Sequence, residues 1–270
     1  YCLVPGLLSS YSPGYFRQAL ERLRHLGLDA RYLGVDSTTD ATSEANSARL
    51  RLAFSNVHRG SGGKKLVIIA HSKGALDTSL ALTRFPELAR MVRAFVALQA
   101  PYGGAALADD IACANPARRE MLERALASFG LGIASLHDMS YVVRRESLAQ
   151  YGDLCTRHPG MRVLSLASCG PRTLASPLAP TTAYLRHAHD AASDGLVCVD
   201  DAVLPGSLAI VLGMDGELDS DHGTPVLPAL PGARLRGDDM VEAAVTIALA
   251  PEAELASETK PWSWPTVTVD

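Results

Sequence analysis

Residues 66–76 read LVIIAHSKGAL, in which an apolar run leads into a serine that stands between small residues. Four successive apolar residues at 66–69 are typical of a strand buried on both faces of a parallel sheet. Ala70 and Gly74 stand two residues before and two after Ser72, where a sharp strand-to-helix turn requires small side chains because the two backbones approach closely. The stretch therefore predicts a turn that displays the Ser72 hydroxyl above the edge of a sheet; the alternative is that Ser72 is an ordinary turn residue.

The rest of the chain alternates short apolar runs with helical patterns, which favours an α/β fold of parallel strands joined by crossover helices. The predicted strands are 1–6, 29–35, 64–70, 92–101, 161–168 and 208–214. The predicted helices are 13–27, 36–60, 74–84 and 237–250. The tail from residue 251 has neither a helical nor a strand period. The pattern as a whole predicts one domain over 1–270.

A long segment, residues 105–158, separates two of the predicted strands. Its helical stretches mix apolar residues such as Phe129, Ile133 and Met139 with many Arg and Glu. Because crossover connections are usually much shorter, the segment predicts a helical lid or cap over the carboxyl edge of the sheet. The alternative is an ordinary crossover that contains an extra helix.

The composition narrows the class of protein. Hydrophobic residues make up 47% of the 270 residues, which excludes a disordered chain. The formal net charge of −4 predicts no basic face and so no nucleic-acid partner. No apolar run approaches the roughly 20 residues of a transmembrane helix. The first residue is Tyr1, which is compatible with removal of a signal peptide and a secreted or periplasmic location, or with a trimmed chain, so the compartment stays open.

The cysteines do not predict a metal site. The chain has five, none in a CxxC pair and none in a Cys/His cluster with zinc-finger spacing. Cys2 and Cys169 lie in apolar runs, so we expect them to be buried packing residues. The odd number leaves at least one thiol unpaired.

Several segments resemble lipases and esterases of the α/β-hydrolase fold, in the order in which those proteins carry them. AHSKG after LVII resembles their nucleophile elbow, although the usual motif begins with Gly and Ala70 is a departure that some of these lipases share. VPGLLSSYSPGYF (4–16) resembles the oxyanion loop, with Pro5-Gly6 where many members have His-Gly. APYGGAALADD (100–110) resembles the segment that leads into the lid.

Two further segments complete the resemblance: SDGLV (193–197) is similar to the acid loop and SDHGTPV (220–226) to the histidine loop. The resemblance implies a catalytic triad of Ser72, Asp194 and His222, in the order that this fold uses. His222 would take the proton of Ser72 and return it to the leaving group, while Asp194 would orient the imidazole.

The same resemblance implies an oxyanion hole and a substrate pocket. The backbone N–H groups of Leu7 and Lys73 would bind the oxyanion. Tyr102, Phe129, Ile133 and Met139 are the predicted substrate contacts. We expect the Lys73 side chain to be solvated at the helix start, where it can pair weakly with Asp77 one turn later.

Other histidines compete for the role of base. His71 precedes the nucleophile and is expected to pack beside the elbow, on the wrong side of the turn for a base. His187 and His189 precede the predicted acid in a polar stretch that we interpret as an exposed loop. His222 is therefore preferred.

Other aspartates compete for the role of acid. Asp190, Asp200 and Asp201 lie close to Asp194 in the sequence. Asp194 is preferred because the sequence Ser-Asp-Gly permits a tight turn that points the carboxylate inward. The neighbours stay open as alternatives.

The sequence predicts no metal and no cofactor. Some lipases that the chain resembles hold a structural calcium ion through two aspartates, one of them two residues after the catalytic histidine. Thr224 occupies that position here. Asp215, Asp219 and Asp221 are nearby oxygen donors, which we interpret as part of a solvated loop.

The resemblance implies a serine hydrolase that cleaves carboxylic esters through an acyl-enzyme intermediate, of the lipase or esterase type. A lid over an apolar pocket implies an apolar ester as substrate, either a lipid or a polyester. A polyhydroxyalkanoate depolymerase, a thioesterase or an acyltransferase would use the same triad. A binding protein of the same fold that has lost the chemistry is the contrasting class.

Overall fold

The computed structural model describes residues 1–7, 9–34, 41–112, 120, 133–171, 176–214, 218–229 and 233–251. Some predictions lie outside these residues: those for Phe129 and Asp215, for part of the helix expected at 36–60 and for the tail beyond 251. The side chain of Ile133 also lies outside them.

Within the described residues, six strands form one parallel sheet in the order β2-β1-β3-β4-β5-β6. The strands are β1 Cys2–Val4, β2 Arg31–Tyr32, β3 Leu66–His71, β4 Val92–Leu98, β5 Arg162–Ser168 and β6 Leu208–Leu212. All residues of β3 are buried, as a central strand covered on both faces requires. The expected parallel α/β sheet is confirmed.

The helices of the described residues connect these strands and cover the sheet. They are α1 Arg17–His25, α2 Ser43–Gly60, α3 Lys73–Arg84, α4 Pro86–Met91, α5 Ala106–Ala112, α6 Ile133–His137, α7 Tyr141–Tyr151, α8 Leu154–Arg157, α9 Ala179–His189, α10 Val199–Ala202 and α11 Gly237–Leu249. A short 3₁₀ turn occupies Ser9–Tyr11. None of the described helices is long and apolar enough to cross a lipid bilayer.

The two faces of the sheet have separate cores, because successive strand residues point to opposite sides. Ile68 belongs to a cluster that includes Leu50 of α2. The next residue, Ile69, belongs to a second cluster with Leu23 of α1 and Val241 of α11. The continuous apolar run of β3 therefore serves both cores at once.

The order of the strands creates a crevice at one edge of the sheet. From β1 the chain passes to β2 on one side and then to β3 on the other, so the direction of progression reverses between β1 and β3. Ligands of open α/β sheets bind beyond the carboxyl ends of the strands at such a reversal. Residues 5–7 follow β1 and Ser72 follows β3, so both lie at this point.

Several element boundaries differ from those that the sequence predicts. Within residues 29–34, the described part of the strand expected at 29–35, the strand β2 covers Arg31–Tyr32. The second helix begins at Ser43, where the Thr42 hydroxyl caps it by accepting a hydrogen bond from the Ala45 N–H at 3.3 Å. Pro86 begins α4 soon after α3 ends, since a proline is tolerated in the first turn of a helix.

Most of the described residues of the segment 105–158 are helical, and they form α5, α6, α7 and α8. Two of its parts join through the backbone, where the Ala105 N–H donates to the Met139 carbonyl at 2.8 Å. A role as a lid stays a prediction.

Candidate active site

Ser72 forms the turn between β3 and α3 on its own. β3 ends at His71 and α3 begins at Lys73. Ser72 has φ 52° and ψ −132°, a conformation that costs a residue with a side chain on the order of 1–3 kcal/mol. Its N–H donates to the carbonyl of Leu98 at 2.9 Å, which ties the turn to the neighbouring strand. The geometry is that of a nucleophile elbow.

The small residues on either side of Ser72 have different packing reasons. A Cβ atom at Gly74 would overlap the carbonyl oxygen of Pro5, so only glycine lets the end of β1 pass this close to the start of α3. Ala70 is fully buried within the sheet and belongs to the core cluster on one face. The sheet accommodates its methyl group, so the departure from glycine at this position leaves the turn intact.

The structure brings Ser72, His222 and Asp194 into one chain of hydrogen bonds. His222 Nε2 lies 2.8 Å from Ser72 Oγ, and His222 Nδ1 lies 2.7 Å from Asp194 Oδ2. Because an ionised carboxylate can only accept, Nδ1 carries the proton and donates to Asp194, which leaves Nε2 to accept from the Ser72 hydroxyl. All three residues are buried.

The carboxylate of Asp194 is held by backbone groups of its own loop. Its Oδ1 accepts hydrogen bonds from the N–H groups of Leu196 at 2.9 Å and Val197 at 2.8 Å. Gly195 has φ +101°, the left-handed region that the tight turn requires and that glycine adopts without strain. The His222 N–H donates to the Asp194 carbonyl at 2.9 Å, so the two loops are also joined through their backbones.

Two of the rival histidines lie on a helix at the surface. His187 and His189 belong to α9, so the expectation of a loop is wrong, because the helical turn of 179–189 continues to the residue before Asp190. Both are exposed, and His189 Nε2 lies 2.8 Å from an oxygen of Asp110.

The rival aspartates make other contacts. Asp190 and Asp200 are exposed. Asp201 accepts a hydrogen bond from the Tyr141 hydroxyl at 2.8 Å, and burial raises the pKa of its carboxyl to about 6. None of the three hydrogen-bonds to His222 among the residues that the structure describes.

The predicted oxyanion donors are the backbone N–H groups of Leu7 and Lys73. Lys73 is the first residue of α3, where a helix has N–H groups without intrahelical acceptors. Leu7 lines the same cavity as Ser72. Neither backbone N–H has a hydrogen-bond acceptor among the described residues, so both can donate to a bound group.

The Lys73 side chain is not solvated, which corrects the sequence prediction. It is fully buried, and its Nζ donates to the carbonyl of Ala41 at 2.8 Å and to Asp77 Oδ1 at 3.0 Å. Asp138 Oδ2 lies 3.9 Å away. The chain before α2 and the loop after α6 pack over the start of α3, and this covers a position that is exposed in an isolated helix.

A cavity of about 1250 Å³ opens beside Ser72 and His222. Its apolar lining includes Leu7, Ala108, Leu136, Met139, Leu178 and Val226. Met139, a predicted substrate contact, lines the cavity, whereas no described contact tests Phe129 or the Ile133 side chain. The volume exceeds the roughly 300–1,000 Å³ of common small-molecule sites.

Tyr102 does not line this cavity, which corrects the prediction of a substrate contact. Its ring is buried, and its hydroxyl donates to Asp153 Oδ2 at 2.9 Å and accepts from the Leu154 N–H at 3.3 Å. The Arg144 guanidinium stacks 5.4 Å from the centre of the ring. The side chain therefore points into the contact between the sheet and the segment 105–158.

The Asp221 carboxylate stabilises the histidine loop through hydrogen bonds. Its Oδ1 accepts from the N–H groups of Gly223 at 3.0 Å and Thr224 at 2.9 Å, and its Oδ2 accepts from the Ser176 hydroxyl at 2.6 Å. The expectation of a purely solvated loop is therefore wrong for Asp221, although Asp219 is exposed. Among the described residues, no group of three His, Cys, Asp or Glu side chains could hold a metal ion.

No protein-family model and no curated protein matches the sequence. Solved structures do match the fold. The mature form of the lipase BlEst2 from Bacillus licheniformis superposes with a TM-score of 0.69 at 18% identity, over 92% of this chain and 90% of that one. The metagenomic carboxyl esterase MGS0156 superposes with a TM-score of 0.70 at 24% identity, over 91% of this chain and 73% of that one. Lipase 1 from Pelosinus fermentans superposes with a TM-score of 0.57 at 12% identity, over 93% of this chain and 98% of that one. The chain has the α/β-hydrolase fold that its sequence predicts.

Proposed function

We propose that this α/β-hydrolase-fold chain is a serine hydrolase that cleaves carboxylic esters through an acyl-enzyme intermediate on Ser72. The observation that carries the proposal is the hydrogen-bonded chain Ser72–His222–Asp194, built on a strained turn at the reversal point of the sheet. Nucleophile, base and orienting carboxylate within hydrogen-bond reach are the requirements for an activated serine. The strained turn supports the same role, because strain of this kind clusters at functional sites.

The acylation step follows from the direction of the hydrogen bonds. His222 Nε2 takes the hydroxyl proton of Ser72 as Oγ attacks the carbonyl carbon of the ester. The resulting tetrahedral oxyanion accepts hydrogen bonds from the N–H groups of Leu7 and Lys73, each worth about 2.7–4 kcal/mol by analogy with other oxyanion holes. Collapse of the intermediate breaks the bond to the alcohol oxygen, which receives the proton from His222.

Deacylation repeats the sequence with water. Water gives its proton to His222 Nε2 and attacks the acyl carbon, and collapse returns the proton to Ser72 Oγ as the carboxylic acid departs. Asp194 stabilises the imidazolium in both steps and keeps the tautomer that leaves Nε2 facing Ser72. Its burial strengthens that interaction because little water competes for the carboxylate.

An apolar ester, either a lipid or a polyester, is the substrate that the cavity supports best. The apolar walls beside Ser72 suit a long acyl chain, and Ala108, Leu136 and Met139 of the segment 105–158 contribute to them. This contribution supports the proposal that the segment is a lid. The solved structures of similar fold that are named lipases and an esterase agree with ester hydrolysis in general.

Reaction with a fluorophosphonate probe tests the proposal directly. We expect stoichiometric and irreversible labelling of Ser72, because the probe phosphonylates only a serine whose base and oxyanion donors are in place. The control variant Ser72→Ala is expected to remain unlabelled while it keeps the wild-type fold by circular dichroism. A folded wild-type protein that does not react would instead indicate a binding protein that has lost the chemistry.

A series of p-nitrophenyl esters, from two to sixteen carbons and with or without detergent, tests the proposed substrate class. We expect higher kcat/KM for long chains. The variant Ala108→Phe should lower kcat/KM for the longest ester by about tenfold more than for the shortest, because the added ring fills one wall of the cavity. The ratio of kcat/KM for the longest ester to that for the shortest, measured within one variant, controls for general damage to the protein. Equal losses on all esters, or activity confined to short esters, would contradict an acyl site at this wall.

A further inference from the structure

A second, largely buried hydrogen-bond network adjoins the Ser72–His222–Asp194 chain and is centred on His71. His71 Nδ1 lies 2.6 Å from the Tyr15 hydroxyl. On the other side of the ring, Nε2 lies 2.9 Å from Gln99 Oε1 and 3.0 Å from the carbonyl oxygen of His222. The side chain is buried, and its ring centre lies 4.6 Å from that of His222.

The direction of each hydrogen bond in this network follows from its outer partners. The Gln99 amide nitrogen donates to the carbonyl of Asp221 at 3.0 Å, so its oxygen faces His71. His71 Nε2 therefore carries the proton and donates to Gln99 Oε1 and to the His222 carbonyl. Nδ1 is then an acceptor and receives the Tyr15 O–H, while the Tyr15 oxygen accepts the N–H of Gly6 at 3.0 Å.

This arrangement requires a neutral His71. Burial, and to a smaller extent the neighbouring His222, lower the pKa of His71 well below its ordinary value. A protonated ring would have no acceptor for the Tyr15 hydroxyl. It would also place a second cation beside the imidazolium that His222 forms during the proposed reaction.

Gln99 has a strained backbone that a packing role alone does not require. It follows β4, is fully buried and has φ +50°, which costs a residue of this type on the order of 1–3 kcal/mol. Its N–H donates to the Leu166 carbonyl at 2.7 Å, so the neighbouring strand holds the conformation. The strain aims the side-chain amide between His71 and the backbone of the histidine loop.

The network contacts three segments whose relative positions the proposed reaction depends on. At one end it binds the N–H of Gly6, the residue before the proposed oxyanion donor Leu7. In the middle it includes the residue before Ser72. At the other end it binds the carbonyls of Asp221 and His222 on the histidine loop.

We propose that Tyr15, His71 and Gln99 are positioning residues that hold the oxyanion loop and the histidine loop in register around Ser72. The inference rests on the proposed function, because register between these loops matters only if Ser72 reacts. None of the three side chains takes the substrate proton. They act through the backbone atoms of Gly6, Asp221 and His222.

The variant Tyr15→Phe tests the oxyanion end of the network. It keeps the ring but removes the acceptor of the Gly6 N–H, so Leu7 is expected to lose its orientation towards the oxyanion. Because small displacements in an active site cost up to about 100-fold, we expect kcat to fall about 10- to 100-fold with KM changed less than about threefold. Rates are normalised to the number of sites that a fluorophosphonate labels at completion, so unfolded protein does not count as lost activity.

Tyr102→Phe is a matched control. Tyr102 is more deeply buried than the half-buried Tyr15, its hydroxyl also accepts a backbone N–H, and it lies outside the cavity. We expect this variant to lower thermal stability by an amount similar to that for Tyr15→Phe and to leave kcat per labelled site unchanged. An equal loss of kcat in both variants would overturn the positioning role.

Gln99→Met tests the other end of the network. It is sufficient by itself as a test if Tyr15→Phe does not fold. We expect a similar fall in kcat, and a smaller loss in the double variant than the product of the two single losses, because both ends act through His71. Unchanged kcat in the single variants, or fully multiplicative losses, would overturn the inference. Failure of the wild-type protein to label or to hydrolyse esters would instead refute the proposed function.

Discussion

Replacement of His222 by alanine is expected to lower kcat/KM for ester hydrolysis by about 10⁴- to 10⁶-fold, the range found when a serine hydrolase loses its base. His222 Nε2 is the acceptor that faces the Ser72 hydroxyl, at 2.8 Å, among the residues that the structure describes. Without it the serine must attack as a neutral hydroxyl, and the leaving alcohol has no proton donor. The measurement is steady-state hydrolysis of a p-nitrophenyl ester by folded protein.

His189→Ala is the matched control for this prediction. His189 competes with His222 in the sequence, but it lies on the exposed helix α9 and pairs with Asp110. We expect kcat/KM within about twofold of the wild type, as for most surface substitutions away from a site. Full activity in His222→Ala would show that the base is assigned wrongly, and a large loss in His189→Ala would point to the alternative.

The variant Asp77→Leu is expected to lower the free energy of unfolding by about 3–5 kcal/mol, because it leaves the ammonium group of Lys73 buried without its closest carboxylate. Lys73 Nζ lies 3.0 Å from Asp77 Oδ1, and both side chains are almost completely inaccessible to water. Asp77 also accepts a hydrogen bond from the Asn46 side chain at 2.7 Å, which the substitution removes. Urea unfolding followed by circular dichroism measures the change.

Two comparisons separate the ionic effect from general damage to α3. The double variant Lys73→Met/Asp77→Leu removes both charges, and we expect it to recover much of the stability that Asp77→Leu loses. Glu21→Ala breaks a pair with the same sequence spacing on α1, where the side chains of Arg17 and Glu21 are 72% and 64% exposed. We expect a change within about 1 kcal/mol there. A similar small change for Asp77→Leu would contradict an important buried pair.

The buried pair matters for the proposed reaction because of where Lys73 stands. Its backbone N–H is a proposed oxyanion donor. Its side chain instead binds Asp77, one turn further along α3, and the chain before α2. The same residue thus joins the start of α3 to the rest of the fold. The charge of Lys73 is consequently not available to a substrate.

The elements that sequence patterns predicted well are those with a strong local cause. A continuous apolar run predicted β3, and the small residues around Ser72 predicted the turn, since both depend on neighbours within a few positions. The parallel sheet followed from the alternation of strands and helices. A weaker pattern predicted the strand at 29–35 less accurately, since the strand covers Arg31–Tyr32 within the described residues 29–34.

The predictions that failed depended on contacts between distant segments. Lys73 was expected in solvent and is buried, because residues near Ala41 and Asp138 cover it. Tyr102 was expected at the substrate and instead binds Asp153. In both cases the residue type and its local spacing are compatible with either environment, so only the packing of the rest of the chain decides.

By itself, the sequence determined the strand, the turn and the helix that display Ser72, because backbone sterics and apolar periodicity act over short distances. It also contained two loops whose residues suit an acid and a base. The tertiary structure decided that His222 meets Ser72, which is 150 positions away along the chain, and that Asp194 meets His222, which is 28 positions away. Parallel strands end at one edge of the sheet, so loops far apart in sequence converge there. Only the folded chain shows that His71 and Gln99 lie behind them in contact with the same loops.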